Sequence, residues 1–179
     1  MKASNRKVHK FIGLVVSVQL LLWTISGIFF SFNKIDQIRG ENYLKSVEQI
    51  TSEKISKISF DEAKEIVIEK TFLKPISVEE ITEEKRGSEF RGRNLPLYKL
   101  SSLDSSDKEV NVYIDPSLGK IVAIRTFEWR LWDLMWGLHI MDWRDRDDIN
   151  NLLLKIFSIL ALISSITGII LFFRPKSKA

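Results

Sequence analysis

Two histidines, His9 and His139, are the side chains in this 179-residue sequence best suited to bind a ligand or to change charge near neutral pH. The sequence has no cysteine, which excludes disulfides, thiolate metal sites and a cysteine nucleophile. His139, Asp142 and Asp145 are spaced i, i+3 and i+6 and could together bind a divalent cation. The sequence favours a plainer interpretation of 142–148, a solvated loop in which arginines and aspartates pair locally.

Two apolar segments must position these histidines. Residues 11–32 contain no charged side chain, and residues 152–173 contain only Lys155. Each segment has 22 residues, and an α-helix rises about 1.5 Å per residue, so each is long enough to cross a hydrocarbon core of about 30 Å. The first has no A-x-A-like cleavage site after it, which predicts a retained transmembrane helix rather than a signal peptide.

The charges beside these segments predict the orientation of the chain. Residues 1–10 and 174–179 are basic tails without a single acid, whereas 33–151 contains 19 of the 27 basic residues and all 23 acidic ones. By the positive-inside rule, both tails are predicted to be cytoplasmic and the intervening region to lie outside the membrane. Because the excess positive charge flanks the predicted spans, it predicts contact with anionic lipid and not with nucleic acid.

The region between the spans reads as a linker at 33–58 followed by an α+β domain at 59–126. Ser59 and Glu62 form a capping-box pattern at the start of a predicted helix. Alternating apolar residues then predict an antiparallel sheet of about four strands, with residues 84–94 as an exposed hairpin loop. Pro96 suggests an edge position for the strand that it precedes. The predicted strands are 76–83, 95–103, 110–114 and 121–125.

A tryptophan-rich segment, residues 127–151, connects this domain to the second span. Its tryptophans and His139 recur every three or four residues, which predicts one stripe on a helix. A tryptophan-rich helix beside a membrane span is typical of the bilayer interface, although the segment could equally pack under the domain. The tryptophans of this stripe are Trp129, Trp132, Trp136 and Trp143.

Small residues predict how the spans pack. In lipid, helices associate through small residues that let their backbones approach closely. Steps of three and four residues place such side chains on one stripe of each span, which predicts that the spans face each other or form a dimer interface. The residues concerned are Gly13, Ser17, Thr24 and Gly27 in the first span, and Ser158, Ala161, Ser165 and Gly168 in the second.

Four motifs give the sequence a resemblance to a known family. The turn YIDPSLGKIV at 113–122, placed after a helix and two strands, resembles the PepSY module. Over the longer chain, His-Lys-Phe-Ile-Gly-Leu from His9, Asp-Trp-Arg-x-Arg-Asp from Asp142 and Ile-Thr-Gly from Ile166 resemble the PepSY-associated transmembrane family of bacteria. This resemblance implies a bacterial inner-membrane protein with a periplasmic PepSY domain.

The resemblance also implies a cofactor. Larger relatives have about four spans, and some are implicated in siderophore or iron reduction with haem held by membrane histidines. By this resemblance His9 and His139 are possible ligands of haem b, although the favoured interpretation of each is an interfacial histidine without a cofactor. Because the predicted topology places them on opposite sides of the membrane, one chain could not hold one haem with both, and a dimer or a partner protein would have to supply the second ligand.

No catalytic motif accompanies these features. The sequence lacks G-x-S-x-G, a Walker loop, G-x-G-x-x-G and H-E-x-x-H. A non-enzymatic function is therefore favoured: the PepSY domain binds or regulates a partner, for example a peptidase, with the strand at 95–101 adding to the partner's sheet. The alternative is a haem-binding subunit of a membrane metal-reductase system. The partner and the oligomeric state are left open.

Overall fold

The computed structural model of the chain describes residues 2–45 and 57–173, with side chains from residue 6 onward. The predicted basic tail at 174–179 and most of the second half of the predicted linker lie outside the described residues. The chain divides into two compact units. One unit comprises Met1–Ser31 with Met135–Ala179, and the other comprises Phe32–Leu134.

The first unit is helical. Helix α1 (Lys2–Phe32) and helix α5 (Leu152–Phe173) contain candidate membrane spans of 27 and 22 residues, with mean hydropathies of 2.0 and 2.5. Both are long and apolar enough to cross a bilayer. They run antiparallel, because His9 of α1 contacts Thr167 of α5 while Gly13, one turn later in α1, lies near Ser164, one turn earlier in α5.

The second unit contains the predicted α+β domain. A short helix, α2 (Ile35–Ile38), and a 3₁₀ turn (Glu41–Tyr43) precede helix α3 (Phe60–Lys70). The capping box at its start is confirmed: the Ser59 hydroxyl accepts from the Glu62 backbone N–H, and the Ser59 N–H donates to the Glu62 carboxylate. The pair satisfies two backbone donors that the first helical turn leaves free.

Four antiparallel strands follow in the order in which they occur in the sequence, so the sheet is a simple meander. They are β1 (Lys74–Ile81), β2 (Leu97–Leu103), β3 (Glu109–Asp115) and β4 (Lys120–Arg125). This confirms the predicted fold class. The edge position inferred from Pro96 is wrong, because β2 pairs with β1 on one side and with β3 on the other.

The sheet buries both of its faces. Helix α3 covers one face, where Val110, Val112 and Ile114 of β3 join Ala63 and Val67 of the helix in the main core. Alternate residues of a strand point to opposite faces, which is why the regular apolar pattern of β3 identified this core from the sequence.

A smaller core covers the opposite face. It is formed by Leu97, Tyr113 and Ala123 of the sheet, with Phe90 and Leu95 packed on them from the loop that joins β1 to β2. The sequence predicted that this loop is exposed, but the Phe90 and Tyr113 rings lie 5.8 Å apart. Phe90 and Leu95 are thus apolar anchors that help to hold this charged loop on the sheet.

Candidate functional site

His139 lies at the end of helix α4 (Phe127–Ile140), against α1. Its Nδ1 atom is 2.8 Å from the hydroxyl oxygen of Ser26, and its backbone carbonyl accepts a 2.7 Å hydrogen bond from the indole N–H of Trp23. The ring is stacked on Trp136 and meets Phe30 edge-to-face at 5.6 Å. Burial among these rings lowers the pKa of His139, which favours the neutral imidazole at pH 7.

The surroundings of Ser26 indicate which nitrogen of His139 carries the proton. The Ser26 hydroxyl is 2.8 Å from the carbonyl oxygen of Leu22 in the preceding turn. A hydroxyl has only one hydrogen, and donating it to this carbonyl leaves the oxygen to accept from His139 Nδ1–H. This assignment leaves the Nε2 lone pair of His139 available to a ligand or a proton.

His9 has the same arrangement at the other end of α1. Its Nδ1 atom is 2.7 Å from the hydroxyl of Thr167, which in turn is 2.7 Å from the carbonyl oxygen of Ile163. A cavity of about 360 Å³ adjoins the ring, lined mainly by aliphatic side chains of α1 and α5. A Cβ atom added to Gly168 would lie 3.9 Å from His9 Nε2, so the α5 backbone passes close to this nitrogen.

These two histidines do not form a single haem site. His9 belongs to α1, and His139 binds Ser26 of the same helix, 17 residues further along the chain. At about 1.5 Å per residue, the two imidazoles are about 25 Å apart along the helix axis. Each imidazole can therefore supply one axial ligand at most, and a bis-histidine haem within one chain does not fit.

Asp142 organises the acidic loop, residues 141–151, rather than joining His139 in a metal site. Its Oδ1 accepts backbone N–H bonds from Arg144 and Asp145, and its Oδ2 accepts from Asp147 and Asp148. Burial opposes ionisation of this carboxyl, but the four hydrogen bonds outweigh it and lower the pKa of Asp142. Within the described ranges, no three potential ligands of the His, Cys, Asp or Glu type converge on one point.

The four tryptophans of the predicted interfacial stripe fall in different surroundings. Trp129 is only 9% exposed within the domain unit, where the Arg125 guanidinium lies 4.2 Å from its ring centroid. Trp132 and Trp136 are half-buried in α4, and Trp143 is exposed in the acidic loop. Residues 127–134 belong to the domain unit and 135–143 to the helical unit. The location of this segment in the bilayer interface stays a prediction.

The predicted packing residues are only partly brought together. Gly13 lies near Ser164, and Gly168 lies near His9. The face of α1 buried within this chain is the adjacent stripe, which includes Val16, Gln19 and Ser26. Ala161 is half-buried, and the remaining predicted residues are exposed on the described chain: Ser17, Thr24, Gly27, Ser158 and Ser165. Their role between two copies of the chain stays a prediction.

The domain also contains a polar cluster centred on Glu89 that sequence reasoning missed. The Glu89 carboxylate accepts hydrogen bonds from Arg130, Asn111 and Tyr113. Burial favours the neutral acid, but these bonds outweigh it and hold the pKa of Glu89 below its usual range. Burial, followed by the charge of Glu89, raises the pKa of Tyr113.

A second ion pair, between Arg91 and Asp133, ties the same loop to α4. Asp133 is 1% exposed, so this ion pair is largely shielded from water. The only indication of these buried ion pairs in the sequence is a cluster of charged residues in 84–94. A loop exposed to solvent has the same composition.

The comparison with known families agrees with this architecture. The sequence model of the family described as "PepSY-associated TM region" matches residues 6–179. No curated protein and no solved structure matches the chain. The match covers both apolar helices and the sheet domain between them, which makes this a membrane protein with a PepSY-type domain. The chain therefore belongs to the PepSY-associated TM family.

Proposed function

We propose that this protein anchors its PepSY domain at the outer surface of the bacterial inner membrane, where the open edge of β1 binds an extended segment of a partner protein. The proposal depends chiefly on the position of β1. This strand pairs only with β2 among the strands of the described chain, and five of its eight residues are exposed. Such an edge offers backbone N–H and C=O groups to an added strand.

Exposed apolar side chains lie at the same edge. Ile76 of β1 is 61% exposed and Phe72, just before the strand, is 63% exposed. Edge strands that avoid pairing carry inward charges, prolines or bulges along their length. Here the irregularity is confined to Pro75 and Ser77, and regular pairing with β2 continues from Ser77 to Ile81. The regular part of the β1 edge is therefore suited to strand addition. The sequence predicts this role for residues 95–101, but β2 lies between β1 and β3 and has no open edge.

The orientation is supported by the basic side chains at the start of α1. Arg6, Lys7 and Lys10 are exposed, and the positive-inside rule assigns that end to the cytoplasm. Since the chain has no cysteine, single-cysteine variants test this assignment directly. In intact spheroplasts, a membrane-impermeant maleimide should label Ser106→Cys and not Lys7→Cys. The reverse labelling pattern would show that the domain is cytoplasmic.

Partner binding is tested by photo-crosslinking in the native membrane. A photoreactive amino acid replaces Ser77 on the β1 edge, with the exposed turn residue Ser106 as the matched control position. We expect a discrete protein adduct from position 77 and none from position 106. Ile76→Lys, which alters the edge at a mostly exposed position, should abolish that adduct. Absence of an adduct at 77, or the same adduct at both positions, contradicts the proposal.

Regulation of a peptidase is one form of this proposal, and mass spectrometry of the adduct tests it. A peptidase recovered from position 77, and lost with Ile76→Lys, would assign the regulatory role. Recovery of another class of protein would retain strand addition but reject the peptidase.

A second candidate function is binding of haem between two copies of the chain or with a partner protein. It is favoured by the shared geometry of His9 and His139, because metal-binding histidines commonly fix one ring nitrogen by a hydrogen bond and present the other. Protein purified in detergent and incubated with haem should then show a stoichiometric Soret band. The band should disappear with His9→Ala or with His139→Ala, whichever histidine is the ligand. A protein that stays colourless with excess haem contradicts this function.

A further inference from the structure

Arg125, at the end of β4, is a buried cation without a carboxylate partner in the described part of the chain. It is 9% exposed, and its guanidinium lies over the ring of Trp129. Its Nε–H donates to the backbone carbonyl of Glu89 and its Nη1 to that of Ile124, at 2.9 and 3.1 Å. A guanidinium has five N–H groups, so three are left to bind something else.

The Glu89 carboxylate, whose negative charge acts on Arg125, is already engaged. Glu89 accepts from Arg130, Asn111 and Tyr113, and only its backbone oxygen binds Arg125. Burial, followed by the positive charge of Arg93, lowers the pKa of Arg125 to about 10. Arg125 is therefore still charged at pH 7, and its neighbourhood is short of negative charge.

A cavity of about 390 Å³ lies beside this guanidinium along the outer edge of β4. Arg39 and Arg93 line it together with Arg125, and Glu41 is the one acidic residue among its lining residues. Neither Arg39 nor Arg93 forms an ion pair with any described residue. The lining thus carries an excess of two positive charges, and its volume is within the range of small-ligand sites.

The backbone around the cavity is held closely in place. Gly40 has φ 74°, and a Cβ atom there would lie 2.7 Å from Cγ2 of Ile124. The close approach of Gly40 to Ile124 positions Arg39 beside β4. The loop that joins β1 to β2 is held in place by Glu89 and Phe90, and it positions Arg93. The three arginines come from three separate segments, so their convergence is a property of the fold.

We propose that this cavity is a binding site for a phosphate group, carried either by an anionic phospholipid or by a soluble phosphate ester. Guanidinium groups match phosphate oxygens with paired, charge-assisted hydrogen bonds. A phosphate monoester carries about −1.5 to −2 charges at pH 7. It therefore balances the two excess positive charges of the lining better than a single carboxylate does. The site is separate from the β1 edge and from both histidines.

The test uses the full chain in detergent and two probes. Glycerol 3-phosphate represents the soluble source, and phosphatidic acid, whose headgroup is also a phosphate monoester, represents the lipid source in mixed micelles, compared with phosphatidylcholine. Binding is measured by calorimetry for the first probe and by native mass spectrometry for the second. Acetate at the same concentration tests whether any carboxylate would serve.

The variant Arg39→Gln/Arg93→Gln removes the two exposed arginines and leaves the buried Arg125 in place. The matched control is Lys120→Gln. Lys120 is an exposed cation on β4, the strand that contains Arg125, and it does not line the cavity. We expect the double variant to weaken binding of one probe by about tenfold or more, and the control to leave it unchanged. Circular dichroism checks that both variants retain the fold.

Each result decides the proposal. Loss of glycerol 3-phosphate binding in the double variant supports a soluble phosphate, and loss of phosphatidic acid binding alone supports a lipid headgroup. Lipid binding that survives in the double variant, with glycerol 3-phosphate binding unchanged or absent, contradicts the proposal and is explained by the basic flank of α1. Binding of neither probe, or equal binding of acetate, also overturns it.

Discussion

The Nδ1 atom of His139 lies 2.8 Å from the hydroxyl of Ser26, a residue 113 positions away in the sequence. His9 and Thr167 repeat the same pairing with a separation of 158 positions. In both pairs the hydroxyl also lies within hydrogen-bond distance of a carbonyl oxygen in its own helix. Both histidines of the chain are thus oriented by a hydroxyl on a membrane-spanning helix.

Removing the Ser26 hydroxyl should change the tautomer of His139. In Ser26→Ala the Nδ1–H loses its acceptor, so the population with the proton on Nε2 should rise. The two histidines are few enough to be resolved by ¹⁵N NMR of histidine-labelled protein. Thr167→Ala is the reciprocal control and should change only His9. Unchanged imidazole signals in both variants would contradict the assigned hydrogen bonds.

Stability of the domain should fall in acid because of Glu89. Its pKa is lowered in the folded state, so its contribution is present above the unfolded value of about 4.5 and is lost as the pH falls below it. Thermal unfolding measured between pH 7 and pH 3.5 should show that Glu89→Gln loses less stability in acid than the unchanged protein does. At pH 7 this variant should be about 1–3 kcal/mol less stable, since it weakens a hydrogen bond to the charged Arg130.

The exposed Glu109→Gln serves as the control for that measurement. It should leave both the stability at pH 7 and the slope in acid close to those of the unchanged protein. If Glu89→Gln and the unchanged protein lose the same stability between pH 7 and pH 3.5, Glu89 is not the group responsible.

Substitution of Gly40 should destabilise the domain more than substitution of Gly92. Both glycines have positive φ, 74° and 72°, so alanine costs about 1–2 kcal/mol of backbone strain at either position. Only Gly40 adds a steric clash, with Ile124, because no atom lies within 4 Å of a Cβ at Gly92. Thermal unfolding of Gly40→Ala and Gly92→Ala measures the difference, and equal losses would contradict the close packing at β4.

Two helical glycines should respond in opposite ways to alanine. A Cβ at Gly137 would lie 2.9 Å from the backbone oxygen of Asp142, so Gly137→Ala should distort the end of α4 and lower the unfolding temperature. At Gly168 the nearest atom, Cε1 of His9, is 3.5 Å away, an ordinary contact, so Gly168→Ala should be tolerated. Comparable destabilisation by both variants would contradict this difference.

The features that the sequence predicted well depend on residues close together in the chain. Ser59 and Glu62 identify the start of α3, and the alternation of Val110, Val112 and Ile114 identifies the buried face of β3. Both apolar helices follow from long stretches almost without charge. In each case the physical signal is a local repeat, either of helical or of strand period.

What the sequence could not predict depends on long-range packing. The exposed stripe of α1 with Ser17, Thr24 and Gly27 has the same period as the buried one with Gln19 and Ser26, so periodicity alone does not select between them. The arginine-lined cavity and the Glu89 cluster likewise join segments that are separated by tens of residues. Their charges look solvated until the sheet brings them together.

The hydrogen bonding of Asp142 has a consequence for how freely the acidic loop can vary. One carboxylate holds four backbone N–H groups, and these donors are present whatever side chains follow. The exposed positions Arg144 and Asp147 can then exchange charge or polarity without changing the path of the chain. A saturation scan of this loop should therefore find Asp142 far less tolerant of substitution than its neighbours Arg144 and Asp147.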